Sequence, residues 1–135
     1  MTYLIDTDVL IDYFKGKDPF RPLVERLLET DDVAISVLSI TELRTGWTAE
    51  QAGYLLPRLA KLFTLEAVTP DIAAHAGVWR HSYMKKGQLL GTVDTVIAAT
   101  AFCKQYCLVT NNKKDYPMPE VQLYEELIEK GRRDD

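Results

Sequence analysis

Four acidic side chains, widely separated along the chain, are of a type that could act together on a phosphate. Asp6 follows the apolar run 3–5, and Glu42 follows the apolar run 33–38 by a few residues. Asp94 begins an alanine-rich segment, and Asp115 comes soon after the apolar run 107–110. Carboxylates roughly 4 Å apart repel each other by about 4 kcal/mol at an effective dielectric near 20, so a cluster of them needs a cation or shared protons. If the fold brings these residues together, the sequence predicts metal-assisted chemistry on a phosphate.

The elements that must position these residues alternate between short strands and helices. Short, apolar and often β-branched runs predict strands at 3–5, 33–37, 64–68, 107–110 and 121–124. Helical spacing and capping signals predict helices at 7–15, from Pro19 onward, from Ser39 onward, at 48–63 with a kink or break at Pro57, from Thr69 to Gly87, and at 92–106. This alternation predicts an α/β fold, a three-layer sandwich with a central parallel sheet of about five strands flanked by helices. Ligands bind such sheets beyond the carboxyl ends of the strands, where the four acids are expected.

Each acid also has a purely structural interpretation. Asp6 could cap the helix that follows it, and Ser39 with Glu42 matches the Ser-x-x-Glu pattern of a capping box. Asp94 suits the first turn of a helix, and Asp115 suits a turn beside a proline. Capping explains each residue singly, but it does not explain why all of them fall on one edge of the predicted sheet.

Composition limits the classes of protein to consider. The 135 residues are 47% hydrophobic, which suits one domain over 1–135, with the charged end 131–135 expected to fray. A net charge of −4 argues against binding nucleic acid by bulk electrostatics, so any such contact must be local or metal-assisted. The apolar stretches are too short for a membrane span and the start does not resemble a signal peptide, so we expect a cytoplasmic protein.

Four sequence strings carry a family resemblance when they are taken together and in order. They are LIDTDVLI at 4–11, SITELR at 39–44, GTVDTVIAATA at 91–101 and LVTNNKKDY at 108–116. In order and spacing they resemble the motifs of the PIN domain, and within it the toxin nucleases of the VapC type. The resemblance covers nearly the whole chain, and its specificity comes from the four motifs together.

The resemblance implies a Mg²⁺-dependent endoribonuclease, with Mn²⁺ as an alternative ion, that hydrolyses RNA phosphodiesters with a metal-activated water. Carried over by position, Asp6, Glu42 and Asp94 match the catalytic, metal-binding acids. Asp115 matches a fourth catalytic acid that precedes an aromatic residue, but relatives often carry an acid where this chain has Asn112. Which of the two fills the fourth position stays open, and Thr110 matches a hydroxyl that would orient a carboxylate or a water.

Partners follow from the same resemblance and from surface composition. Such proteins are usually paired with a small antitoxin that blocks the site, and a homodimer is implied as well. Arg44, Lys113 and Lys114 lie near the motifs and could contact RNA phosphates. Four apolar residues of the first two helices exceed what one helix face needs and suggest an antitoxin surface: Leu10, Tyr13, Phe14 and Phe20.

Two other functions compete with the nuclease. A non-catalytic PIN-like module would bind RNA or a protein partner without turnover, its fourth acid being incomplete. A phosphatase would use Asp6 as nucleophile and Asp8 as acid and base, although Leu10 departs from that pattern and 135 residues leave little room for a cap domain.

Overall fold

The computed structural model of the chain describes residues 1–125. Four parallel strands form one sheet in the order β3-β2-β1-β4, with bounds β1 Thr2–Ile5, β2 Asp32–Ser36, β3 Thr64–Glu66 and β4 Cys107–Val109. The helices are α1 Thr7–Phe14, α2 Phe20–Thr30, α3 Val37–Thr45, α4 Ala49–Leu62, α5 Pro70–Lys85 and α6 Thr92–Lys104, and a short 3-10 helix covers Lys113–Asp115. The predicted α/β fold with a central parallel sheet is confirmed. The predicted fraying at 131–135 lies outside the described residues.

Alternation along the strands divides the core into two layers. Leu4 and Leu108 face a core built with α5 and α6, whereas their neighbours Ile5 and Val109 face a core built with helices α1 to α4. Successive strand side chains point to opposite faces, so a sheet covered on both sides is apolar at nearly every strand position. The result is the predicted three-layer sandwich.

The predicted fifth strand is wrong. The segment 121–124 makes one isolated bridge, Leu108 with Leu123, and no ladder. Leu108 donates to the Gln122 carbonyl at 2.9 Å and accepts from the Tyr124 amide at 2.9 Å. Because β4 is only three residues long, its outer edge can hold this segment at a single point.

Two local expectations about helices are also corrected. The helix expected to begin at Ser39 begins at Val37, because the Ser36 hydroxyl accepts from the Leu38 amide at 3.1 Å and caps it. Ser39 therefore lies inside α3, and Ser39 with Glu42 is not a capping box. Pro57 does not end its helix, since α4 runs through it. Pro57 is exposed, so the carbonyl four residues earlier can bond to water in place of the missing amide.

The apolar surface predicted on the first two helices is mostly interior. Leu10, Tyr13 and Phe20 are buried in the core between these helices and the sheet, and only Phe14 is partly exposed. Both helices need those residues to pack against the sheet, so they are not surplus apolar surface. No helix within residues 1–125 is long and apolar enough to cross a membrane.

Candidate functional site

The order of the strands places a crevice beside β1. The chain adds β2 and β3 on one side of β1 and returns to add β4 on the other, so the direction of winding changes between β1 and β4. The Asp6 amide donates to the Val109 carbonyl at 2.9 Å and holds the two strand ends together. Asp6 follows β1 and Thr110 follows β4, so both side chains lie where parallel sheets bind ligands.

Asp6 is buried and accepts three hydrogen bonds. Its Oδ1 accepts from the Thr7 amide at 2.9 Å, and its Oδ2 accepts from the Thr110 and Tyr116 hydroxyls, each at 2.8 Å. Asp6 is also the N-cap of α1, so the capping and site interpretations hold together. Three donors fix the plane of this carboxylate.

Asp94 reaches the same crevice from the first turn of α6. Its Oδ1 lies 3.5 Å from the Tyr116 hydroxyl oxygen that bonds Asp6. Burial and the negative charges of Asp6, Asp115 and Glu42 raise the pKa of Asp94 to about 6. A carboxyl group whose ionisation is opposed by three neighbouring acids lies in a space of concentrated negative potential.

Glu42 is joined to Asp6 through Thr7. The Thr7 hydroxyl donates to Glu42 Oε1 at 2.6 Å and lies 2.9 Å from the buried Ser39 hydroxyl. The start of α1 thereby connects to α3. Asp6, Glu42 and Asp94, which are far apart in sequence, stand around one space.

Asp8 is a member of this cluster that the nuclease interpretation of the sequence missed. Its Oδ2 accepts from the Asn112 side-chain amide at 2.9 Å and from the Asn111 backbone amide at 3.2 Å. Burial, and then the charge of Asp6, raises the pKa of Asp8 to about 7. The available signal was position: Asp8 is two residues after Asp6, in the first turn of a helix that begins at the sheet edge.

The other predicted residues lie nearby with different contacts. Asn112 bonds Asp8, while Asp115 is exposed at the rim, close enough to Asp94 for its charge to raise that pKa. Thr110 bonds Asp6 and also accepts from the Asn112 amide at 3.0 Å. Asn112 therefore holds Asp8, and Asp115 adds negative charge at the rim. Which of the two fills the fourth catalytic position stays a prediction.

The three basic candidates are exposed or partly exposed. Arg44 donates to the Trp47 carbonyl at 2.7 Å, beyond the end of α3. Lys113 Nζ lies 3.4 Å from Glu125, and Lys114 is exposed. An RNA contact by any of them stays a prediction.

Comparison with known proteins identifies this arrangement. The family model described as the PIN domain matches residues 3–119, which contain every acid of the cluster. The chain belongs to the PIN domain family. It is 33% identical over 113 residues to ribonuclease VapC1 of Methanocaldococcus jannaschii, covering 84% of this chain and 77% of the relative. It is 35% identical over 118 residues to ribonuclease VapC10 of Mycobacterium tuberculosis, covering 87% of each.

Solved structures agree with this assignment. The PIN domain described here matches a chain in the crystal structure of VapBC2 from Rickettsia felis bound to a promoter DNA fragment, with a TM-score of 0.80 and 25% identity over 92% of this chain and 98% of that one. It also matches a chain of a toxin-antitoxin complex from Klebsiella pneumoniae, with a TM-score of 0.73 and 28% identity over 88% and 94%.

The oxygen-rich crevice of this PIN domain fits a hard divalent cation by the chemistry of its donors. As the side chains stand in residues 1–125, they include no group of three His, Cys, Asp or Glu residues that could hold a metal ion. Mg²⁺ does not require one, because it keeps several waters and is often held by one or two carboxylates plus the substrate phosphate. Asp6 and Asp94, in contact through one hydroxyl, are the best placed to hold it, with Glu42 beside them.

A groove on the surface of the PIN domain leads into the site. It has a volume of about 280 Å³ and is walled by residues of α1, α3 and α4 and the α3–α4 loop, among them Ile11, Phe14, Trp47 and Leu55. Glu42 lines the same groove, which therefore joins apolar walls to an acid of the site. Phe14 and Trp47 pack edge to face with ring centroids 5.7 Å apart.

Proposed function

We propose that this PIN domain is a Mg²⁺- or Mn²⁺-dependent endoribonuclease, the toxin of a toxin-antitoxin pair. The observation that carries the proposal is the convergence of Asp6, Glu42 and Asp94 at the crevice of a PIN-domain sheet. The raised pKa of Asp94 indicates that the crevice favours added positive charge, which a divalent ion provides.

The residues of the chain divide the task of cleavage. A bound Mg²⁺ would supply two things, a lower pKa for a bound water and positive charge to offset that of the phosphate. Asp6, Asp94 and Glu42 would hold the ion, and the hydroxyls of Thr110 and Thr7 keep Asp6 and Glu42 in fixed orientations. Lys114 and Arg44, both exposed, would contact phosphates that flank the cleaved bond.

The antitoxin occupies the groove beside the site. An amphipathic segment would place apolar side chains between Phe14, Trp47 and Leu55, and a basic side chain would reach Glu42, which also lines the groove. Such a partner would block access to the ion. The toxin role also places the protein in the cytoplasm, where its RNA substrate lies, and a homodimer is the proposed assembly.

The deciding experiment is RNA cleavage by the purified protein in Mg²⁺ and in EDTA. We expect cleavage in Mg²⁺, products with 5′-phosphate ends, and none in EDTA. Asp94→Asn should lower the rate more than about 100-fold, because losing even an outer partner of a metal ligand costs 10- to 100-fold. Asp71→Asn, which alters a first-turn acid of α5 instead of α6, should leave the rate unchanged.

The product ends separate this activity from contamination. A ribonuclease that attacks through the RNA 2′-hydroxyl leaves 5′-hydroxyl ends and needs no metal. Cleavage that persists in EDTA, or that Asp94→Asn does not reduce, would contradict the proposal. RNA binding without products in Mg²⁺ and Mn²⁺ would instead support the non-catalytic module.

A further inference from the structure

The hydroxyl of Tyr116 lies between two acids of the site. Its oxygen is 2.8 Å from Asp6 Oδ2 and 3.5 Å from Asp94 Oδ1. Among the hydrogen bonds of residues 1–125, it is the one donor seen to contact both carboxylates. The hydroxyl has one proton, and the shorter distance assigns that proton to Asp6.

The buried ring of Tyr116 holds this hydroxyl in one position. Only 3% of the residue is exposed, and it belongs to the core layer that contains Ala98, Leu108 and Met118. A ring packed at the density of a protein interior has little freedom to withdraw its hydroxyl.

The other donors to Asp6 do not duplicate this contact. The Thr7 amide binds Oδ1, and the Thr110 hydroxyl binds Oδ2 from the loop after β4. Tyr116 alone among the three approaches from a side that also borders Asp94. Partners of this kind orient metal-binding carboxylates and tune their affinity.

We infer that Tyr116 is a positioning residue that sets the orientation of Asp6 and its spacing from Asp94 for binding a divalent cation. The inference rests on the proposed function, because it concerns the same ion. The hydroxyl acts through Asp6 and does not touch RNA. Its removal should weaken binding of the ion and leave the affinity for RNA unchanged.

The chain provides a matched control. The Tyr106 hydroxyl also donates to a carboxylate, Glu66 Oε1, at 2.6 Å, but outside the site. Tyr116→Phe and Tyr106→Phe each delete one tyrosine–carboxylate hydrogen bond and keep the ring. Mn²⁺ binding to each full-length variant would be measured by titration calorimetry and by electron paramagnetic resonance, without RNA.

We expect Tyr116→Phe to weaken Mn²⁺ binding about tenfold and Tyr106→Phe to leave it unchanged. In RNA cleavage at limiting Mn²⁺, Tyr116→Phe should lower kcat with KM for RNA unchanged, and excess Mn²⁺ should restore most of the rate. Unaltered or tighter Mn²⁺ binding by Tyr116→Phe would overturn the inference, as would equal weakening in both variants. A wild-type protein that binds no Mn²⁺ and cleaves no RNA would overturn the proposed function itself, whereas a wild type that does both isolates the test to Tyr116.

Discussion

The Thr7 hydroxyl donates to Glu42 Oε1 at 2.6 Å and so links the start of α1 to the second turn of α3. A carboxylate can only accept, so the single proton of Thr7 goes to Glu42. The Ser39 hydroxyl, 2.9 Å away and buried, must then donate to Thr7. A chain of two hydrogen bonds, from Ser39 to Thr7 and from Thr7 to Glu42, thus orients the Glu42 carboxylate, although Glu42 itself is exposed.

Thr7→Val should therefore impair cleavage without removing any acid. We expect a 10- to 100-fold lower rate, the range for loss of a partner that orients a metal ligand. The unfolding free energy should fall by about 1–3 kcal/mol, because the Ser39 hydroxyl loses its buried acceptor. Cleavage assays and urea unfolding measure the two effects.

Thr7→Ser and Thr45→Val are the controls for that substitution. Thr7→Ser keeps the hydroxyl and should retain most of the activity. Thr45 bonds a backbone carbonyl of α3 on its exposed face, so Thr45→Val should have little effect. A fully active Thr7→Val protein would show that Glu42 needs no such orientation.

Asp94→Asn should stabilise the metal-free protein although it disables cleavage. Asp94 has its pKa raised to about 6 and Asp8 to about 7, so the folded state favours their protonated forms. In EDTA, the stability that these protonated carboxyl groups contribute is present at acid pH and is lost as the pH rises through 6 and 7. Asp94→Asn removes one repelling charge and should raise Tm at pH 8 by about 3 °C with a flatter pH profile.

Differential scanning fluorimetry between pH 5 and pH 8, with and without Mg²⁺, provides the measurement. Mg²⁺ should raise the wild-type Tm more at pH 8 than at pH 5, because its ligands are ionised there. Asp71→Asn should instead lower Tm slightly, since an exposed first-turn acid stabilises its helix. A wild-type Tm that rises with pH in EDTA would contradict the claim that repulsion at Asp94 and Asp8 destabilises the metal-free protein.

Asn112→Asp should destabilise the metal-free protein. The Asn112 amide donates to Asp8 Oδ2 at 2.9 Å, and the substitution replaces that donor with a second negative charge. Two carboxylates roughly 4 Å apart repel each other by about 4 kcal/mol at an effective dielectric near 20, and protonation will relieve part of that repulsion. We expect a lower Tm at pH 8 in EDTA and recovery at pH 5.

Asn111→Asp adds the same charge one residue away. Asn111 contacts Asp8 through its backbone amide, which the substitution retains, and its side chain is exposed. Its Tm in EDTA should stay close to wild type. Equal losses in the two variants would mean that overall charge, and not the bond between Asn112 and Asp8, controls stability here.

Ile11→Glu should weaken antitoxin binding. Ile11 is exposed on α1 and lines the groove that contains Glu42, so a carboxylate there would have to be desolvated on binding. We expect the affinity for the proposed antitoxin to fall more than about tenfold, measured by calorimetric titration with that partner. Val78→Glu, at an exposed position on α5, should not alter that affinity. The reverse ranking would place the antitoxin on the α5 face.

The layered fold and the edge that carries the site could be predicted from the sequence because both depend on local patterns. Buried strand runs, helix spacing and caps act over a few residues, and the rule for parallel sheets then places Asp6 and Thr110 together. The start of α3 could not be fixed in this way. Ser36 and Ser39 are both competent caps, and only the backbone geometry shows that Ser36 is used.

Contacts across the crevice were beyond such patterns. Asp8 and Asn112 are 104 positions apart, and Tyr116 and Asp6 are 110 apart. Side-chain hydrogen bonds over these separations depend on rotamers and packing, for which a single sequence carries no periodic signal. The prediction of an exposed apolar surface on α1 and α2 was wrong for a related reason. Apolar residues on several faces of a short helix are equally typical of a helix that is packed on two sides.

Asp6 caps α1, ties the ends of β1 and β4, and receives the hydroxyls of Thr110 and Tyr116, whereas Asp94 heads a helix that has no side-chain cap. Descendants that abandon catalysis should consequently shed these two acids at unequal rates. Substitution of Asp94 would increase the stability of the metal-free fold, whereas Asp6 is still needed to cap α1 and to join β1 to β4. An inactive descendant of this protein would then keep Asp6 between β1 and α1, and its loss of activity would be visible as a substitution at Asp94, in the first turn of α6.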